Sequence, residues 1–261
     1  MKPVGTLFIL IALLPVPSYA FDLGNLMSNP QINQLVNPNA AATSVANSGA
    51  VNPTALAGIS HQDQVGGLKQ ALTQGAESAV ASLGKANGFL DNPQVRIPLP
   101  KNLHKIAELM RTVGMGRSAD KLTAAMNNAA EVAVPEAKKL LVGAVQDMSV
   151  QDAAGILTGG NDAATQYFRR KTSVALAAKF KPIVVQAMQH VSLAQQYDKF
   201  ASAGEQFGLV KAQDANLNDY ITQKALDGLF IMMAQEEQAI RAHPLQAVGA
   251  MAQKVFSAIS L

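Results

Sequence analysis

Apolar side chains recur at every third or fourth position over most of residues 60–261, the spacing that places them on one face of an α-helix. The first such run follows Ser60 and Asp63, which can cap the first turn of a helix, and it closes at Gly84 and Gly88. Further helices are predicted over residues 101–113, 118–134, 135–147, 183–195, 196–207, 216–242 and 244–259.

Residues 149–180 hold the helix pair around which we expect the rest of the chain to be organised. Ser149 and Asp152 form a second capping pair, and the short helix that follows is predicted to end at Gly159-Gly160. Asp162, with Asn161, can cap the next helix. That helix is predicted to stop before Pro182, because proline lacks a donor and disfavours helical geometry at the preceding residue. Together these patterns predict one all-α bundle of about nine or ten helices over residues 60–261.

One face of the helix after Asp162 is apolar, yet a lysine falls inside it. Lys171 lies within this arc with Tyr167 at its flank, whereas Arg169 lies on the rim. The arc consists of Ala164, Phe168, Thr172, Ala175, Leu176 and Phe180. A buried ammonium without a partner is strongly unfavourable, so Lys171 is expected to meet a carboxylate or to reach water.

The long helix predicted over residues 216–242 carries a second charge among apolar positions. Glu237 projects near the centre of its apolar stripe, with Glu236 on one rim and Arg241 four residues further on. Glu237 can pair with Arg241 at the edge of the core, or with Lys171 across a helix interface. A structural role and a ligand-facing role both stay open for these charges.

Residues 89–100 cannot be helical, because Pro93, Pro98 and Pro100 interrupt them. Val95, Ile97 and Leu99 alternate with polar residues and prolines. This alternation predicts a short extended, Pro-rich surface segment that can pair as an edge strand with residues 207–211.

Residues 1–20 are typical of a secretory signal peptide, with Lys2, an apolar run from Val4 to Leu14, and small residues before cleavage at Ala20. An export to the periplasm or the exterior is therefore expected. Residues 21–59 are rich in Asn, Ala, Ser and Pro and are predicted to be a disordered tether. In the alternative, Phe21 to Met27 is a docking peptide.

Composition narrows the classes of function. The chain has no cysteine, so no disulfide can staple an exported fold. Residues 21–261 keep 20 basic and 18 acidic side chains, a balance too even to favour nucleic acid. A locally basic region is predicted to make at most weak contact with an anionic envelope surface. It consists of Arg96, Lys101, Lys105, Arg111, Arg117 and Lys121.

Motifs of known chemistry are missing from the sequence. The four histidines never adopt a metal-binding spacing, and neither a nucleophile elbow nor a phosphate-binding loop occurs. No catalytic, cofactor-binding or metal-binding residue is therefore predicted. The candidate buried or ligand-facing polar residues are Lys171, Glu237, Arg169, Arg241, Glu236, Tyr167 and Asp162.

Four stretches carry a resemblance to a known family: GFLDNPQVRIPLP, NNAAEVAVPEAKKLL, VQDAAGILTGGNDAATQYFRRKT and YITQKALDGLFIMMAQEEQAIR. They resemble the bacterial domain of unknown function DUF4197 over roughly residues 65–258. The resemblance implies an exported helical domain and brings no activity, cofactor or partner with it. Asn128 departs from the pattern, which has a basic residue there, so a cationic partner for Glu131 is expected to be missing.

These observations favour a non-enzymatic, soluble envelope protein that binds a partner protein or a small hydrophobic ligand between helices. Lys171, Glu237 and Arg169 would fix the polar end of that ligand. The alternative is an envelope hydrolase or transferase that uses Glu236, Glu237 and Tyr167.

Overall fold

The computed structural model describes residues 56–101, 103, 116–191, 194 and 216–259. Every regular element in these ranges is a helix, which confirms the all-α class. The helices are α1 (His61–Leu83), α2 (Gly116–Ala133), α3 (Ala137–Gln146), α4 (Val150–Leu157), α5 (Ala163–Met188), α6 (Leu217–Ala242) and α7 (Ala250–Ile259), with single 3-10 turns at Val134–Glu136 and Pro244–Gln246. The helix predicted over residues 101–113 is described only at residues 101 and 103. The helix predicted over residues 196–207 lies outside the described ranges, so the count of nine or ten helices is not tested.

Side-chain oxygens cap the first turn of three helices. Ser60 accepts a hydrogen bond from the Asp63 amide at 3.1 Å, and α1 begins directly after it. Ser149 and Asp152 form the complete reciprocal cap of α4. Asn216 caps α6 by accepting from two amides of its first turn. The caps at Ser60 and Ser149 depend only on neighbouring residues, so spacing along the chain was enough to locate these two.

The predicted end of α5 at Pro182 is wrong, because the helix continues through this proline to Met188. Leu176, Phe180, Val184 and Met188 are all buried, and they keep a spacing of four residues across the proline. Pro182 itself is exposed. Packing along this continuous stripe therefore outweighs the roughly 3 kcal/mol that an interior proline costs a helix.

The core lies where α5 and α6 pack together and against α1 and α2. Its largest buried side chains are Tyr167, Phe89, Phe168, Phe180 and Phe230. Helix α7 approaches α1 closely at Gly67, where a Cβ atom would lie only 2.7 Å from the carbonyl oxygen of Met251. Among the helices of the described residues, none is long and apolar enough to cross a membrane.

The packed structure begins before Ser60, which corrects the predicted end of the tether. Leu56 and Ile59 are buried in the core. The side-chain amide of Gln64 donates to both of their carbonyl oxygens, at 3.0 and 2.8 Å. Burial of Leu56 and Ile59, together with the hydrogen bonds from Gln64, thus holds residues 56–59 against the core. Composition had assigned these residues to the tether. Residues 1–55 lie outside the described ranges.

The stretch from Arg96 to Pro100 is in neither a helix nor a strand. Ile97 is fully buried, and its backbone groups bind one side chain of α2. The Ile97 amide donates to Oδ1 of Asn127 at 2.8 Å, and Nδ2 of Asn127 donates to the Ile97 carbonyl at 2.9 Å. The predicted strand partner, residues 207–211, lies outside the described residues. The backbone amide and carbonyl of Ile97, which would pair with a neighbouring strand, are already bound to the side chain of Asn127.

Candidate functional site

Glu237 lies at the N-terminus of α5, with its side chain only 4% exposed. Its Oε1 accepts the Ala164 amide at 3.0 Å, and its Oε2 accepts the amide and the hydroxyl of Thr165 at 2.9 and 3.0 Å. The guanidinium of Arg241, 10% exposed, lies 3.0 Å from Oε1. The pairing of Glu237 with Arg241 is therefore the correct alternative, and the pairing with Lys171 is wrong.

The carboxylate of Glu237 caps the start of α5 in place of Asp162, which was predicted to provide that cap. Asp162 occupies the N-cap position of α5 without a side-chain capping bond. Its carboxylate instead accepts from the side-chain amide of Gln166 at 3.0 Å. Because the first amides of a helix carry partial positive charge, an anion at this end is stabilising. Glu237 thus caps α5 from another helix, 72 residues away in sequence from Thr165.

Arg241 binds the end of α4, on the other side of the Gly159-Gly160 turn from the start of α5. Its Nη2 donates to the carbonyl oxygen of Ile156 at 2.9 Å, within the last turn of α4. A cation is favourable where helix carbonyls are unpaired. The α6 clamp, defined as Glu237 and Arg241, therefore holds the end of α4 and the start of α5 on either side of the Gly159-Gly160 turn.

Lys171 is exposed and does not face the core. Its ammonium lies 5.8 Å from the ring centroid of Tyr167 and reaches water, which was one of the two expected outcomes. The apolar face of α5 is narrower than the predicted arc and does not include Lys171. Val174 and Ala178, further along the same line, are also exposed.

Arg169 and Glu236 connect helices at different places. Arg169 stacks over the ring of Phe230 at 4.6 Å from its centroid and lies 3.7 Å from the carboxylate of Asp227, which joins α5 to α6. Glu236 accepts a hydrogen bond from the hydroxyl of Ser78 at 2.7 Å, which joins α6 to α1. Each of these two charges therefore has a protein partner of its own.

Tyr167 is buried, and its hydroxyl donates to the carbonyl oxygen of Ala144 at 2.8 Å. Burial raises the pKa of this phenol above its ordinary value, and the charges of Asp152 and Asp147 raise it further. The hydrogen bond from this hydroxyl joins α5 to α3.

The space beside Glu237 is too small for a ligand. Two cavities that touch its side chain have volumes of about 20 and 10 Å³. A cavity of that volume holds about one water molecule. The two cavities described beside Glu237 therefore leave no room for the small hydrophobic ligand that was expected there, since the helices around them are closely packed.

A groove of about 600 Å³ lies instead between α3 and α5. It is called the α3–α5 groove, and its lining residues are Glu136, Lys139, Leu140, Gly143, Ala144, Asp147, Tyr167, Lys171, Thr172, Ala175 and Lys179. Two of the candidate residues, Tyr167 and Lys171, come together here. Apolar or small side chains line the middle of this groove, and lysines lie along it.

A second groove, of about 760 Å³, lies along α1 beside α3. Its two charged lining residues, Lys69 and Glu77, already have partners. Lys69 donates to the carbonyl oxygen of Gln146 at 2.7 Å, and Glu77 pairs with Lys138 at 3.0 Å. This groove therefore offers less charge to an approaching ligand.

Sequence reasoning missed the second buried carboxylate, Glu131. It accepts the backbone amides of Asn87, Phe89 and Leu90 at 3.2, 3.1 and 3.3 Å, so donors from the loop after α1 take the place of a cation. The position of Glu131 between alanines of α2 could have indicated a buried carboxylate. Nothing in the sequence indicated which distant amides it binds.

The predicted basic region is only partly described. Arg96, Lys101, Arg117 and Lys121 are exposed, whereas Lys105 and Arg111 lie outside the described ranges. Over the residues that the structure describes, no group of three or more His, Asp or Glu side chains is arranged to hold a metal ion.

Comparison with known proteins gives one match. The family model described as "Protein of unknown function (DUF4197)" matches residues 58–257. No curated protein matches the chain, and no solved structure matches it either.

Proposed function

Because this chain belongs to the DUF4197 family, which has no established function, we propose a function from the geometry and, for export, from the signal-peptide pattern of residues 1–20: a non-enzymatic, exported protein that binds a small hydrophobic ligand. We place the ligand in the α3–α5 groove. Of the three residues expected to fix a polar end of the ligand, Lys171 lines this groove, whereas Glu237 and Arg169 do not.

One observation carries the proposal: a groove of about 600 Å³ combines an uncharged middle with lysines that form no ion pair among the described residues. Ligand sites usually have volumes of about 300 to 1,000 Å³ and mostly apolar walls with a few polar groups. Leu140, Gly143, Ala144 and Ala175 supply such walls. In the described ranges, no ion pair includes Lys139, Lys171 or Lys179.

The alternative, a hydrolase or transferase, has less support from this geometry. Such an enzyme needs titratable groups that converge on an accessible cleft. Glu237 is engaged by Arg241 and by α5, Glu236 binds Ser78, and the Tyr167 hydroxyl binds a backbone carbonyl. Each group thus serves a separate contact between helices.

The test uses an uncharged hydrophobic probe, N-phenyl-1-naphthylamine, and two matched leucine variants. A Cβ atom at Gly143 or at Gly155 would meet nothing within 4 Å, so both variants should fold. Only Gly143 lines the groove. We expect saturable probe fluorescence with the parent and with Gly155→Leu, and binding at least tenfold weaker with Gly143→Leu.

The proposal fails if the parent shows no saturable binding, or if both leucine variants bind the probe as the parent does. Native mass spectrometry of protein released gently from cells provides a second measurement. A retained small molecule that is lost from Gly143→Leu and kept by Gly155→Leu would support the groove as its site.

A further inference from the structure

The two ends of the α3–α5 groove differ in charge, and the direction of the helices follows from one contact. The Tyr167 hydroxyl binds the carbonyl of Ala144, so the start of α5 lies beside the end of α3. Since both helices line the same groove, Lys179 must lie toward Glu136 at the other end. The two helices therefore run antiparallel along the groove.

Lysines predominate at the end formed by the start of α3. Lys139 and Lys179 lie there with Glu136 as the one acid among the lining residues at that end. At the opposite end, Lys171 is balanced by Asp147. Asp152 adds a negative charge near this end: its pKa is lowered chiefly by its hydrogen bonds with Ser149 and further by the charges of Lys171 and Arg170. The groove thus has one net cationic end and one neutral end.

The middle of the groove is uncharged. Leu140, Gly143 and Ala144 line it from α3, and Thr172 and Ala175 line it from α5. From residue 136 to residue 147 the α3 side of the groove is about 16 Å long, at 1.5 Å per helical residue. A slot of this length with small walls suits one extended hydrocarbon chain lying parallel to the helices.

We propose that the ligand of this groove is a free single-chain amphiphile with an anionic headgroup, held with its headgroup between Lys139 and Lys179 and its chain directed toward Tyr167. This assignment rests on the proposed function and adds the charge and the direction of the ligand. A carboxylate and a phosphate share the required chemistry. Two flexible ammonium groups can bind either one as point charges.

The experiment measures displacement of N-phenyl-1-naphthylamine by ten-carbon compounds that differ only in the headgroup, all below their micelle concentrations. The compounds are decanoate, decyl phosphate, 1-decanol and decyltrimethylammonium. We expect an anionic compound to bind at least tenfold more tightly than 1-decanol, and decyltrimethylammonium to bind most weakly. The ratio of decanoate to decyl phosphate then identifies the preferred headgroup.

Three variants locate the headgroup. Lys139→Gln with Lys179→Gln should abolish the preference for the anion over 1-decanol. Lys85→Gln with Lys254→Gln removes the same charge from exposed sites outside the groove and should change nothing. Lys171→Gln should retain most of the preference, because this lysine lies at the neutral end.

The outcomes separate the two proposals. If the probe and 1-decanol bind but the anions have no advantage, or if the Lys139/Lys179 variant keeps that advantage, this inference is overturned and the proposed function stands. If neither the probe nor any ten-carbon compound binds, both proposals fail. Binding to phosphatidylglycerol vesicles without binding of free decanoate or decyl phosphate would also overturn it, since the lysines would then serve a membrane surface.

Discussion

Glu237 caps the N-terminus of α5 by accepting both the backbone amide and the hydroxyl of Thr165, at 2.9 and 3.0 Å. The same carboxylate is neutralised by Arg241, which reaches back to the carbonyl of Ile156 in α4. One turn of α6 thereby fixes both helices of the central pair.

Removal of the Glu237 carboxylate should destabilise the protein strongly. In Glu237→Ala, Arg241 stays buried without its anion, and two amides of α5 lose their acceptor, so we expect a loss of about 3 to 5 kcal/mol in the free energy of unfolding. Chemical denaturation monitored by circular dichroism measures it.

The ion pair of Glu77 with Lys138 is the matched control. Its charged atoms are also 3.0 Å apart, but its side chains are 45% and 59% exposed. Glu77→Ala should therefore cost less than about 1 kcal/mol. Equal losses in the two variants would contradict a special role for the buried α6 clamp.

The side chain of Asn127 should be needed to hold Ile97. Asn127→Ala leaves a buried amide and a buried carbonyl of Ile97 without partners, which should cost about 2 to 4 kcal/mol. Asn128→Ala, at the exposed neighbouring position of α2, should change stability by less than about 0.5 kcal/mol. Faster amide hydrogen exchange at Ile97 in Asn127→Ala alone would locate the effect.

Tyr167 should make stability fall at alkaline pH. Its folded-state pKa is raised above the ordinary value of about 10. The folded state thus binds this proton more tightly than the unfolded state does. The resulting stabilisation is fully present below about pH 10 and is lost as the pH rises through the raised pKa. Free energies of unfolding between pH 9 and pH 12 should decline less steeply for Tyr167→Phe than for the parent, and identical slopes would refute the shift.

The lowered pKa of Asp152 should make the stability of the folded state fall at acid pH. Its hydrogen bonds with the hydroxyl and amide of Ser149 lower its pKa below the ordinary value. The stabilisation is present above the unfolded pKa of about 4 and is lost as the pH falls through the lowered value. Two-dimensional NMR titration of the carboxyl carbon should show this shift. In Ser149→Ala the pKa should return toward the ordinary value, and a pKa unchanged by that substitution would contradict the capping box as its cause.

Local features were predictable because their partners are close in sequence. Ser60 with Asp63, Ser149 with Asp152, and Glu237 with Arg241 lie three or four residues apart, and a single helical turn brings each pair together. The all-α class follows from the same short-range periodicity. The family, too, was recognisable from contiguous stretches of the chain.

Tertiary structure decided which neighbour covers each helix face, and periodicity does not carry that information. It allowed α5 to pass Pro182, because buried Val184 and Met188 continue the packed stripe beyond the proline. It placed Lys171 in an open groove, and it brought the amides of Ala164 and Thr165 to Glu237 from more than 70 residues away. The sequence by itself therefore determined the all-α class and the local caps at Ser60 and Ser149, and it indicated which charges lie near an apolar face. Only the packing of distant helices determined whether such a charge is buried or exposed, since its desolvation depends on what lies opposite it.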